Sequence, residues 1–207
     1  MVHEVRGGEQ TGRCESCPPT RTNVRIPNKQ LPRKGKTVMH TGILLAVEAD
    51  DIHQAIDKVT DWNEHNATWS DWNEVGGRWE HELPDNALRY SDNPTKFNEL
   101  VAKYKQYTAN KFNEYVNELG EVSVRDLVTN PKYRYRPPAS TNESDEDFRN
   151  RFALHTAKQL LKLANGEFFY DTHFFDLDEY STSPDQLNER IKANPERQFV
   201  VICDYHF

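Results

Sequence analysis

Two Asp-x-His units are the residues in this chain whose types and spacing most directly suggest chemistry: Asp171 with His173, and Asp204 with His206. On strands, a spacing of two sets both members of a unit on one face. Two carboxylates and two imidazoles could then hold a divalent metal and activate water, which is the chemistry of a metal-dependent hydrolase. Nothing in the sequence order forces the units to converge, and cross-strand hydrogen bonding or solvent exposure is the favoured explanation of such pairs. Cys14-x-x-Cys17 is half of a zinc knuckle, and adding His3 and His40 produces a spacing that matches no standard structural site. Neither set is assigned a metal. The chain has no G-x-S-x-G elbow, Walker A loop or post-strand G-x-G-x-x-G, so no cofactor is expected and a non-enzymatic role is favoured.

Two further stretches suit binding. Asp61 to Trp79, DWNEHNATWSDWNEVGGRW, holds all four tryptophans and repeats Asp-Trp-Asn-Glu. Trp69, Trp72, Arg78 and Trp79 beside the Gly76-Gly77 hinge have the composition of a protein-binding hot spot; alternatively, the rings complete a core poor in aliphatic residues. Lys132, Tyr133, Arg134, Tyr135 and Arg136 alternate cations with rings, a pattern that stacks bases and neutralises phosphates on a single strand. The plainer reading is a short edge segment that packs its tyrosines and exposes its cations. The DWNEVGGRW box and the closing VVICDYHF resemble small uncharacterised phage and actinobacterial proteins with W-x-x-x-G-G-R-W and terminal V-D-C-H stretches. Here the order Cys203, Asp204, Tyr205, His206 departs from that ending. The resemblance implies a phage or mobile-element origin and no activity.

Residues 1–38 carry five net positive charges, which leaves twelve net negative charges on residues 39–207. With Pro18, Pro19, Pro27 and Pro32 and few large apolar side chains, this basic tail is expected to be extended or disordered, and residues 39–207 to form one domain. An odd, sparse set of three cysteines, no secretory pattern and no long apolar run fit a cytoplasmic protein away from membranes.

The elements that must position these residues follow from periodicity. Gly42 to Val47 is a buried-strand run, and Ile52, Ala55, Ile56, Val59 and Trp62 make one face of a helix over 51–66. Residues 74–81 suit a second strand. Asn93 and Pro94 open a long helix with the stripe Phe97, Leu100, Val101, Tyr104, Phe112, Tyr115, Val116 and Leu119, which Gly120 ends. A short turn at 123–128 and a loop over 129–143 lead to a helix over 144–165 whose inner face is Phe152, Ala153, Ala157, Leu160, Leu161 and Ala164. A strand over 167–175, a short helix opened by Ser183 and Pro184, and a strand over 199–203 complete the chain. This is an α+β fold. The expected layout is a split βαβ, ferredoxin-like sheet with a helical insertion at about 88–165, although the last strand is more apolar than that layout's edge position requires. The functional expectation is a protein-interaction module with an unidentified protein partner. Nucleic-acid binding through the tail and KYRYR is the first alternative, and the hydrolase is the second.

Overall fold

The computed structural model describes residues 39–135, 137 and 143–207; the tail with its two cysteines, Arg136 and residues 138–142 lie outside these. The architecture mixes helices with a five-stranded sheet. Strands β1 (His40–Glu48) and β5 (Gln198–His206) pair antiparallel along their full lengths, from His40 opposite His206 to Glu48 opposite Gln198. Beside β5, β2 (Trp72–Val75) and β3 (Ala87–Arg89) share the next lane end to end, both antiparallel to it. On the other side of β1, β4 (Phe174–Asp176) pairs in parallel.

This order differs from the ferredoxin-like expectation in the lanes of the last two strands. The first half is a split βαβ, since β1 and β2 run parallel with one antiparallel strand between them. The intervening strand is β5, however, and the short β4 takes the edge. An interior lane accounts for the apolarity of β5, because both of its faces are covered. Two expected strands are also shorter than their patterns. After Val75 the positive φ of Gly76 and Gly77 turns the chain into a 3-10 turn over Gly77–Trp79, and residues 167–173 run irregularly up to β4.

Alternation along the paired strands makes two cores. Ile43, Leu45, Val47, Val201, Cys203 and Tyr205 point to one face, which α1 (Ile52–Asn66) covers with Ala55 and Val59. Leu44, Ala46, Val200 and Ile202 point to the other, covered by the first half of α2 (Pro94–Leu119) through Phe97, Leu100 and Tyr104. Leu187 of α5 (Asp185–Ala193) joins them. Capping follows the expected chemistry: Asp51, Asn93 and Ser144 each accept a backbone N–H in the first turn of their helices. Two polar side chains of β4 and β5 are matched in the core, whereas Tyr104 Oη has no hydrogen-bond partner among the described residues. Tyr205 Oη donates to Asn63 Oδ1 at 2.6 Å, and Arg190 reaches both oxygens of the fully buried Asp176 at 2.8 and 2.9 Å. The Cys203 thiol is pushed up to about 12 by burial, which makes it inert.

At 1.5 Å per residue, α2 is about 39 Å long and outruns the sheet. Its second half packs instead along α4 (Asp145–Ala164), close to the short α3 (Val124–Thr129). Here the expected inner faces are only partly realised. Phe112, Val116 and Leu161 are exposed, Ala164 faces outward, and α4 buries Arg151, Thr156 and Gln159 beside Ala153 and Leu163. No helix among the described residues is long and apolar enough to cross a membrane.

Replacing Leu45 by Ala should therefore destabilise the fold by about 2–5 kcal/mol, and replacing Leu161 by Ala by less than roughly 0.5 kcal/mol. Urea unfolding of both variants measures this; equal losses would mean that Leu161 is core.

Candidate functional site

The structure brings together one half of the Asp-x-His set and part of the tryptophan box. Asp204 and His206 follow Ile202 on the α2-covered face of β5, and both point to that face at the open end of the sheet. His40 lies opposite His206 on β1, and Trp72 opposite it on β2. Asp204 is almost fully buried. Its Oδ1 lies 3.0 Å from His40 Nδ1, and its Oδ2 accepts the Arg78 backbone N–H at 3.2 Å. A carboxylate only accepts, so His40 Nδ1 is the donor in this contact. The Arg78 N–H reaches Asp204 because the turn approaches β5 closely: a Cβ on Gly77, whose φ is +54°, would lie 2.5 Å from Asp204 Cβ. His206 Nδ1 lies 3.9 Å from Asp71 Oδ2, and the His40 and His206 ring centroids are 5.1 Å apart.

The other Asp-x-His unit does not join this group. Asp171 and His173 precede β4 on irregular chain, with β1 between β4 and β5. Asp171 accepts from Tyr115 Oη on α2, and burial raises its carboxyl above the ordinary range. His173 Nδ1 lies 3.1 Å from the Gly42 carbonyl, and burial lowers the imidazole, which keeps it neutral at pH 7. Among the described residues no three His, Cys, Asp or Glu side chains are placed to hold one metal ion. The four-residue metal set of Asp171, His173, Asp204 and His206 is therefore not assembled.

The tryptophan box divides between core and surface. Trp69 is half-buried in an aromatic cluster with Tyr205 at 5.1 Å and Phe168 at 5.5 Å, while Trp62 packs on Phe168 and Phe175. Trp79 packs on the opposite core, its ring lying over Gly42. Trp72 is 44% exposed and Arg78 is exposed. In KYRYR, Tyr133 is buried against Leu127 and Ala153 and cannot stack a base. Lys132 lies over its ring at 4.6 Å, Arg134 and Tyr135 are exposed, and Arg136 is outside the described residues.

Three features escape the sequence: Asp71, the apposition of His40 to His206, and an apolar groove. Sequence spacing suggests His40 only as a partner of Cys14 and Cys17, and its register with His206, far along the chain, leaves no local trace. The groove, about 520 Å³, lies between the end of α2, α3 and α4, and is lined by Val116, Leu119, Val124, Val128, Leu154 and Leu161 among others. Val124 is 78%, Val128 65% and Leu161 61% exposed. Lys158 is the single charged residue in the lining, and it makes no ion pair among the described residues. The adjacent Leu160 and Leu161, too wide a stripe for one core face, were its available signal. The chain matches no family model, no curated protein and no solved structure.

A Cβ at Gly42 would lie 2.6 Å from the Trp79 ring. Gly42→Ala should cost about 1–3 kcal/mol, and part of that cost should vanish when Trp79 is also Ala. A double-mutant cycle by thermal unfolding checks this, and strict additivity would contradict the contact.

Proposed function

We propose that this chain is a protein-interaction module that receives an amphipathic helix of a partner protein in the groove between α2, α3 and α4. The observation that carries the reading is the exposure of Val124, Val128 and Leu161 around one continuous apolar groove. These side chains add little to the chain's own core, and a contiguous exposed apolar patch is characteristic of a contact surface. Helices bound in such grooves present apolar residues at three- and four-residue spacing. Lys158, which makes no ion pair among the described residues, selects a partner helix with a carboxylate beside that stripe.

A second contact surface at Trp72 and Arg78 is favoured by their exposure at the outer lane of the sheet. The nucleic-acid reading retains Arg134 and Tyr135 from KYRYR, together with the basic tail.

A comparative pull-down from producing cells, with and without nuclease, separates these readings. Leu161→Glu and Val128→Glu should each weaken capture of the partner by about thirtyfold, roughly 2 kcal/mol, with the melting temperature preserved. Trp72→Ala should leave that capture intact. Loss of capture in Trp72→Ala alone would move the surface to the tryptophan box, and loss with nuclease alone would favour nucleic acid.

A further inference from the structure

The His40–His206 pair lies apart from the groove and sets two imidazoles side by side on one face of the sheet. The two residues face one another across the β1–β5 ladder, with ring centroids 5.1 Å apart. Two Zn–N bonds of about 2.0–2.1 Å meeting at a tetrahedral angle set the centres of two imidazole rings roughly 5 Å apart. In both residues Nδ1 is the nitrogen nearer a carboxylate: His40 Nδ1 at 3.0 Å from Asp204 Oδ1, and His206 Nδ1 at 3.9 Å from Asp71 Oδ2. At His40 this is the outer-shell arrangement of metal-binding histidines, in which a carboxylate accepts from Nδ1 and the ion takes Nε2; at His206 the carboxylate of Asp71 lies nearby without a hydrogen bond. Both side chains are partly exposed, so an ion can reach them, whereas Asp204 is buried and fixed by the Arg78 N–H.

We propose that His40 and His206 chelate one borderline divalent transition ion of the Zn²⁺, Ni²⁺ or Cu²⁺ class through their Nε2 atoms. Asp204 and Asp71 act as outer-shell carboxylates, and water completes the coordination. Imidazole ligands select this class over Mg²⁺ and Ca²⁺, which take oxygen. Trp72, whose ring centroid lies 6.2 Å from that of His40, walls one side.

The test is calorimetric titration of the full chain with zinc chloride. Cys14→Ser and Cys17→Ser are introduced so that the tail thiols do not compete. One ion should bind per chain. His40→Ala and His206→Gln should each weaken binding at least tenfold, Asp71→Asn by up to about tenfold, and His173→Ala not at all. Circular dichroism accompanies each variant. If His40→Ala loses the fold, the partly exposed His206→Gln decides alone. The absence of zinc binding in the Cys-free chain, or an affinity unchanged in His206→Gln, would overturn the proposal.

Discussion

The antiparallel pairing of β1 with β5 is the interaction on which the rest of the structure depends. It joins residues near the two ends of the span 39–207, and its side chains supply the centre of both cores: Ile43, Leu45, Val201 and Cys203 on one face, Leu44, Ala46, Val200 and Ile202 on the other. Full burial of one such side chain contributes about 1.5–3 kcal/mol, so these two strands anchor the helices above and below the sheet. A register slip of one residue would turn each set to the wrong face. The same register sets His40 opposite His206 and Gly42 opposite Asp204 at the open end.

Around this ladder the molecule separates structural from exposed chemistry. Asp204 is buried but fully engaged, because the Gly76-Gly77 turn brings the Arg78 N–H to one oxygen and β1 brings His40 to the other. The tryptophans follow the same division. Trp62, Trp69 and Trp79 supplement a core short of aliphatic side chains, and Trp72 remains at the surface. The helical insertion differs from the sheet region. Once α2 passes the sheet its main helical neighbour is α4, with α3 close by, and three short apolar faces leave Val124, Val128 and Leu161 exposed. The protein-interaction reading rests on that shortfall.

Elements with strong local signals were legible in the sequence. Asp51, Asn93 and Ser144 cap the helices that their types announced, Gly120 ends α2 at a φ of +55°, and GILLAV and FVVIC are the two central strands. Lane order was not legible. FVVIC showed that its strand is covered on both sides, but not that β2 and β1 are what flank it. Nor could Asp171 announce that Tyr115 would take its carboxylate, or Tyr133 that Leu127 and Ala153 would bury it, because each partner arrives through tertiary packing. On α4, the apolar pattern placed Leu161 inside, whereas the neighbouring helices present their surface to Arg151, Thr156 and Gln159.

Native-state hydrogen exchange tests the central position of the β1–β5 ladder most directly. The amides of Ile43–Val47 and Val200–Asp204 should be the slowest in the chain and should exchange together, with the free energy of global unfolding, while those of α3 and α4 open at lower cost. Slowest exchange in the helical insertion, or β1 and β5 opening independently, would contradict the account.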